Sequence, residues 1–374
     1  MLTLLFTYHQ VMPDFVDFLF PFGKQSRAQD FHFTAFRQRT RLWKTVQGLR
    51  IRELGWSGRD IQICYNLKSV EPSPSQSDRP WSIRHCAIHH SFDVETGRVT
   101  WIMIKGNKLM QQRLAKATSH CGLAELRDFT TVDRAFAATL VVHQILCGWL
   151  TENWRWYINY LEDKFEDISR RTIANEINIS PGSPGKSPIQ DPKLQRVQTD
   201  KSEKSVFSKF SRTRTPTMET LASIRENGDT AFDNVFTHKD SGLRQPLPPG
   251  IRPDGEILPK KDAIQYDEYG QQDFSFRDLQ DLHFIDIQAR EGALVIKHVT
   301  SILHQLIQHY QYLFKLKDFP QEIVNNCAEE MSRFEMEIKA VEMELQMQAS
   351  RIETLQRSTS DCTSLVTYTF QATA

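Results

Sequence analysis

One stretch near the end of the chain restricts the fold more than any other. From Cys327 the apolar positions fall at Met331, Phe334, Ile338, Val341, Leu345, Ile352 and Leu355, and Gln348 fills the one polar slot. Steps of four and three residues make the heptad seam of a coiled coil or a long bundle helix. Such a helix carries force or position from one place to another. The ladder is expected to stop at Arg357. Eight of the last seventeen residues are Ser or Thr, which predicts an irregular tail over 358–374.

Two more seams precede it. Phe136, Leu140, His143, Cys147, Leu150, Trp154, Tyr157, Leu161 and Ile168 predict one helix from Val132 to about Ala174. It would be on the order of 60 Å long at 1.5 Å per residue, so it either projects or packs along another long helix. Thr130 with Asp133 resembles a capping box at its start. Val295, Val299, Ile302, Leu306 and Leu313 predict a helix that Ser275 and Asp278 cap and that runs to Phe314. Pro320 suits the first turn of the last helix.

The first 125 residues read as mixed α/β. Leu2 to Tyr8 is a strand candidate, Pro13 to Phe20 is helical and ends at Pro21 and Gly23, and Ile61 to Tyr65 is a short strand. Ile83–Val94 and Val99–Ile104 are rich in β-branched and aromatic residues. They flank Glu95-Thr96-Gly97-Arg98, a hairpin turn with glycine at a left-handed position. Asn107 can cap a helix to about Thr118. The fold class is therefore α+β: an α/β domain over 1–125, a long helix over 126–176, an insertion over 177–272, and paired, largely antiparallel, coiled-coil-like helices over 273–357.

The insertion begins Ser-Pro-Gly-Ser-Pro-Gly-Lys-Ser-Pro at 180–188 and holds Pro246-Leu-Pro-Pro249. Such composition cannot bury a core and predicts disorder. Lys186–Arg214 holds eight basic and three acidic residues, whereas Asp254–Glu291 holds ten acidic and four basic. Ser180, Ser183, Ser187 and Thr215 each precede proline. They are candidate phosphorylation sites whose modification would offset the local positive charge, or else simple spacer residues.

The whole chain is balanced, 46 basic against 46 acidic residues, so no global field points to nucleic acid. The N-terminus lacks the basic region and cleavage site of a signal peptide. The longest apolar run, Phe136 to Leu150, is shorter than the roughly 20 residues of a bilayer span, so no membrane span is expected. The six cysteines form no Cys-x-x-Cys, and Cys147 and Cys327, on apolar helix faces, read as small buried hydrophobes in a reducing compartment.

Motifs for phosphate, dinucleotide, zinc-protease and serine-hydrolase chemistry are missing, so the chain is read as a non-enzyme with no catalytic or cofactor-binding residues. His85 and His89 would share one strand face and could hold zinc with a third ligand, but no second cluster has suitable spacing; His90 sits beside them. On the last helix Glu335, Glu337, Glu342 and Glu344 are candidate ligands for hard cations such as Mg²⁺, bound weakly through water, or else a solvated helix face. His143 reads as a hydrogen-bonded core histidine. Trp149, Trp154 and Trp156 read as core or as an interaction surface.

Several stretches resemble one family. They are Phe6-Thr-Tyr-His-Gln-Val-Met-Pro-Asp-Phe-Val-Asp-Phe-Leu-Phe-Pro-Phe-Gly23, Trp81-Ser-Ile-Arg-His-Cys-Ala-Ile-His-His-Ser-Phe-Asp93, Trp101-Ile-Met-Ile-Lys-Gly106 and Phe274-Ser-Phe-Arg-Asp-Leu-Gln280. Together they resemble fungal CorA-like transporter-domain proteins. The resemblance implies a cytosolic α/β domain that feeds long stalk helices. In CorA-type channels these lead to two transmembrane helices with Gly-Met-Asn at the pore mouth, in a pentamer held closed by divalent cations between subunits.

This sequence contains no Gly-Met-Asn. It is expected to be the cytosolic regulatory and stalk portion of a divalent-cation (Mg²⁺) transporter, in a form without pore helices. It would sit in the cytoplasm, or on the cytosolic face of a membrane when joined through its stalk to a full-length member or to copies of itself. The alternative is a soluble coiled-coil scaffold with a phosphorylatable linker.

Overall fold

The computed structural model describes residues 2–23, 32–43, 48–73, 80–104, 108–119, 122–176 and 275–373. All of them belong to one unit, Met1–Ile179 with Glu268–Ala374. The expected insertion and its four candidate phosphorylation sites lie outside the described residues.

Four strands form an antiparallel meander in the order β1 (Phe36–Arg41), β2 (Asp60–Pro72), β3 (Trp81–Asp93) and β4 (Val99–Ile104). The short strand expected at Ile61 to Tyr65 is thus the start of a thirteen-residue one. It pairs with β3 along its whole length, from Asp60 opposite Asp93 to Pro72 opposite Trp81. β2 from Asp60 to Val70 and β3 from Cys86 to Asp93 are covered on both sides, so burial there runs continuously through polar residues and the alternation that marks a half-buried strand is lost.

At the hairpin, Asp93 accepts hydrogen bonds from the backbone N–H groups of Glu95 and Thr96. Gly97 has φ +69°, and a Cβ there would lie 3.2 Å from Val132 Cα. Glycine is required at that point twice over, for the left-handed turn and for the close approach of the next helix.

One sheet face is closed by the N-terminus. Leu2–Tyr8 is a helix (α1), not the strand its apolar run suggested. A seven-residue apolar run has no decisive period. Here Thr7 bonds back to the Thr3 carbonyl at 2.9 Å, and Phe6 docks edge-on against Phe15 at 5.7 Å. A 3₁₀ helix over Pro13–Phe22 continues through Pro21 and buries Phe15 and Phe18 with Met12 against Cys64 and Ala87 of the sheet.

The other face carries the helices. α2 (Lys108–Ala117) leads to α3 (Val132–Gly148), which is capped by Thr131 without a side-chain bond; Thr130 donates instead to Asp128. The expected single helix from Val132 is broken. A 3₁₀ turn at Trp149–Thr151 and Asn153 at φ +64° separate α3 from α4 (Trp154–Glu176). Asparagine tolerates that left-handed conformation, and its side chain donates to the Val70 carbonyl on β2 while the Trp154 indole donates to the Leu150 carbonyl. The break therefore anchors the helices to the sheet.

α5 (Phe276–Lys315) begins with the expected capping box between Ser275 and Asp278. Pro320 is the N-cap of a short helix, α6 (Gln321–Asn326), and α7 runs from Ala328 to Thr373. α5 and α7 are antiparallel: Tyr310 meets Phe334, and Gly292 meets Ile352.

The predicted irregular tail is helical. Its seam continues from Leu355 to Thr359, Cys362 and Val366, exposed at 1, 8 and 3%. Thr359, Thr363, Ser364 and Thr367 each bond back to the carbonyl four residues earlier, which satisfies their hydroxyls within the helix. Sheet, α3, α4, α5, α6 and α7 share one continuous core. By length and composition Val132–Thr172 could cross a membrane, but 78% of its apolar window is buried inside the protein.

Candidate functional site

The four acidic candidates lie on α7, beside its buried seam. Glu335 pairs with Lys339 at 3.5 Å. Burial pushes the carboxyls of Glu337, Glu342 and Glu344 above the usual range, against the pull of Arg333 on Glu337 and of His304 and Lys339 on Glu342. Each of the pairs 335/342 and 337/344 is one heptad apart, and the two pairs flank opposite sides of the seam. Among the described residues, no group of three or more His, Cys, Asp or Glu is placed to hold a metal ion.

The histidine triplet of β3 is divided by the strand's alternation. His85 and His89 do share a face, the one under the N-terminal cover. His85 stacks on Phe22 at 4.4 Å, and His89 lies 5.4 Å from Phe15 with its Nε2 3.4 Å from Gln62 Oε1. Burial, helped by Arg39, pulls His89 down to about 3. Aromatic rings, an amide and the Arg39 guanidinium surround them, and among the described residues no third ligand joins them. His90 points the other way, stacked on Trp101 at 4.1 Å.

That side of the sheet meets the helices at a buried polar junction. His143 on α3 sits between two tyrosine hydroxyls: Tyr65 on β2 lies 2.7 Å from its Nδ1, and Tyr310 on α5 lies 2.8 Å from its Nε2. A neutral imidazole donates through one nitrogen and accepts through the other, so one hydroxyl receives a hydrogen and the other gives one. His90 lies edge-on to His143 at 5.2 Å, and Phe334 of α7 closes the far side at 6.4 Å. His309, next to Tyr310, bonds Gln38 of β1 at 2.6 Å. One cluster thus ties β1, β2, β3, α3 and α5 together and touches α7.

Its electrostatics follow from burial. His90 and His143 are held well below the ordinary imidazole value by desolvation, and neighbouring histidines add to the effect. His309 is pulled down to about 3. Tyr65 and Tyr310 are raised well above 10 for the same reason. At neutral pH the cluster is therefore uncharged. It is closed to solvent, so it can position and transmit but not turn over a substrate.

A separate groove of about 450 Å³ runs between α5 and α7. Phe276, Leu279 and His283 line one wall and Thr359 and Thr363 the other, with the Asp286–Arg290 ion pair at its edge.

His143 proves to be the hydrogen-bonded core histidine its place in the seam suggested. Trp149 and Trp154 are buried, while Trp156 is half exposed. Tyr310 was missed, yet it left a signal: the α5 seam steps from Leu306 to Leu313, and Tyr310 fills the slot between. Nothing local marks Tyr65, His90 or His309 as members of one cluster.

No curated protein and no solved structure matches the chain. A family model described as CorA-like transporters matches residues 1–173, the stretch that supplies the whole sheet, α3 and nearly all of α4. Over those residues the chain carries a CorA-like transporter domain, as its N-terminal and β3 motifs foreshadowed.

Proposed function

We propose that this protein is the cytosolic regulatory and stalk part of a divalent-cation transporter system, with Mg²⁺ as its ion. The observation that supports the reading most is the continuity of the core. The domain matched as CorA-like packs through one set of buried side chains onto α5 and α7. Any change in the domain's state is therefore felt along a 46-residue helix. In this reading α7 passes that state to the pore helices of a full-length family member, to which it is joined directly or through copies of the chain. The work is mechanical and not enzymatic, and its place is the cytosolic face of a membrane.

The partly desolvated carboxylates beside the α7 seam give the cation a point of action. Glu337 and Glu344 are partly desolvated with little positive charge to offset them, and a hydrated divalent cation would relieve that cost. Hydrogen–deuterium exchange tests this. Millimolar Mg²⁺, unlike KCl of equal ionic strength, should slow exchange in α7 around 335–344. Identical profiles in Mg²⁺ and in EDTA would sink the cation role and leave a cation-indifferent scaffold.

A further inference from the structure

The groove between α5 and α7 continues past the Asp286–Arg290 ion pair to Glu353, Gln356 and Arg357, and Ser360 lines both of its parts. Two guanidinium groups thus share the groove with one serine. Arg290 is 71% exposed and is held at 2.9 Å by Asp286 of its own helix. Arg357 is exposed too, its Nε 3.4 Å from the Glu353 carbonyl. The hydroxyls of the groove are not alike. Those of Thr359, Thr363 and Ser364 each donate to the carbonyl four residues earlier. Ser360 is exposed, and its hydroxyl has no protein partner among the described residues.

The sequence adds a recognition element. Arg357 stands three residues before Ser360, the spacing that arginine-directed protein kinases read. Arg351 and Thr354 repeat the spacing, but Arg351 is taken by Asn159 and Glu162 of α4, and Thr354 donates to the Ser350 carbonyl. A kinase takes its substrate in extended form, so the helix must open. Six of the ten residues from Ser358 to Thr367 are Ser or Thr, which are weak helix formers, and this part of α7 is therefore suited to local opening.

We propose that Ser360 is a phosphorylation site whose phosphate is clamped between Arg357 of α7 and Arg290 of α5. In the step, Ser360 Oγ bonds the γ-phosphorus of ATP, the bond from that phosphorus to the β–γ bridging oxygen breaks and releases ADP, and the hydroxyl proton leaves. The product carries nearly two negative charges and three acceptor oxygens. Each guanidinium offers them a planar pair of donors. Little is lost when Arg290 turns from Asp286, because an exposed pair four residues apart on one helix is weak. Glu353 and Asp361 are the other carboxylates beside the phosphate, and both face water. Ser360 lies several turns before the end of α7 at Thr373, out of reach of the negative end of the helix dipole. Phosphorylation therefore staples α5 to α7 at their far end. It rests on the stalk reading for its purpose, which is to stiffen the helix pair that carries the domain's state. The clamp itself needs no cation.

Two measurements on the full chain test this. Incubated with Mg-ATP and an arginine-directed kinase, the chain should carry phosphate on Ser360 by peptide mass spectrometry, and Arg357→Ala should lower that modification several-fold. The clamp is read by hydrogen–deuterium exchange in EDTA, on chain made with phosphoserine inserted at position 360 during translation. Exchange over 276–290 and 353–367 should slow several-fold relative to the unmodified chain, and Arg290→Gln should remove the slowing over 276–290. Phosphate found on other residues while Ser360 stays unmodified overturns the site. Exchange that phosphoserine leaves unchanged or speeds overturns the clamp, and slowing over 276–290 that survives Arg290→Gln overturns the part given to Arg290. The reading in EDTA is independent of the Mg²⁺ response at 335–344, so failure of the clamp and failure of the cation role are told apart.

Discussion

The junction beneath the sheet and the far end of the helix assembly are both buried, but they are built from different chemistry. At the junction, polar side chains from β2, α3 and α5 are threaded by hydrogen bonds of 2.7 and 2.8 Å through an otherwise apolar core. At the far end, Gly292 lets Ile352, Trp154 and Tyr157 approach to where a Cβ would have only 3.3–3.5 Å of space, and Thr359 and Cys362 complete the seam. The first region depends on proton positions and the second on volume. The two ends are therefore open to separate perturbation, one by protonation and the other by added volume.

The largest expected difference between the regions is their response to acid. His90, His143 and His309 are neutral in the fold, with values held below that of the unfolded chain, about 6.5. As pH falls below that value the unfolded chain takes up protons that the native chain refuses. Their stabilising contribution is present above about 6.5 and is lost progressively as pH falls below it. Each such histidine contributes a slope of about 1.4 kcal/mol per pH unit. Denaturant unfolding at pH 7.5 and 5.0 should therefore show a loss of several kcal/mol. His89, on the opposite sheet face, adds to it. A stability that is flat over this range would break the comparison.

Next in size is His143→Leu. It strands the Tyr65 and Tyr310 hydroxyls in a dry core, at about 1–3 kcal/mol for each unpaired group. It should also reduce the acid slope by one proton, a result that loss of packing alone would not give. The double variant with Tyr310→Phe should recover part of the loss, and a simple additive penalty would argue against the hydrogen-bonded chain.

Gly292→Ala, at the far end, is the smallest. The added methyl meets Ile352 at 3.3 Å, and overpacking of this kind costs about 1–3 kcal/mol. The chevron or melting shift should be the same at pH 7.5 and 5.0. A pH-dependent cost at Gly292 would mean that the two regions are not separate.

These contrasts also explain what could be read along the chain. The hairpin at Gly97, the Ser275–Asp278 cap and the buried seam of α7 are local patterns, set by residues a few positions apart, and each was legible. The break at Asn153 was not, because the bond that favours it reaches to Val70 across the fold. The helical tail was hidden for another reason: Thr359 and Cys362 occupy seam positions without being conspicuously apolar, and the hydroxyls satisfy themselves within the helix. The junction was the least visible. His143 and Tyr310 are 167 residues apart, and only the antiparallel packing of α5 against α7 and α3 brings them together. The four acidic candidates were easy to see as a run, but helical geometry distributes them to two flanks.

The bond pair at His143 has one further consequence. Since a neutral ring has one hydrogen to give and one lone pair to fill, Tyr65 and Tyr310 must play opposite parts. Exchange of the imidazole tautomer reverses both parts at once, with every heavy atom left in place. The centre of this protein therefore has a sense of direction, pointing from sheet to helix or from helix to sheet, written only in the positions of its hydrogens.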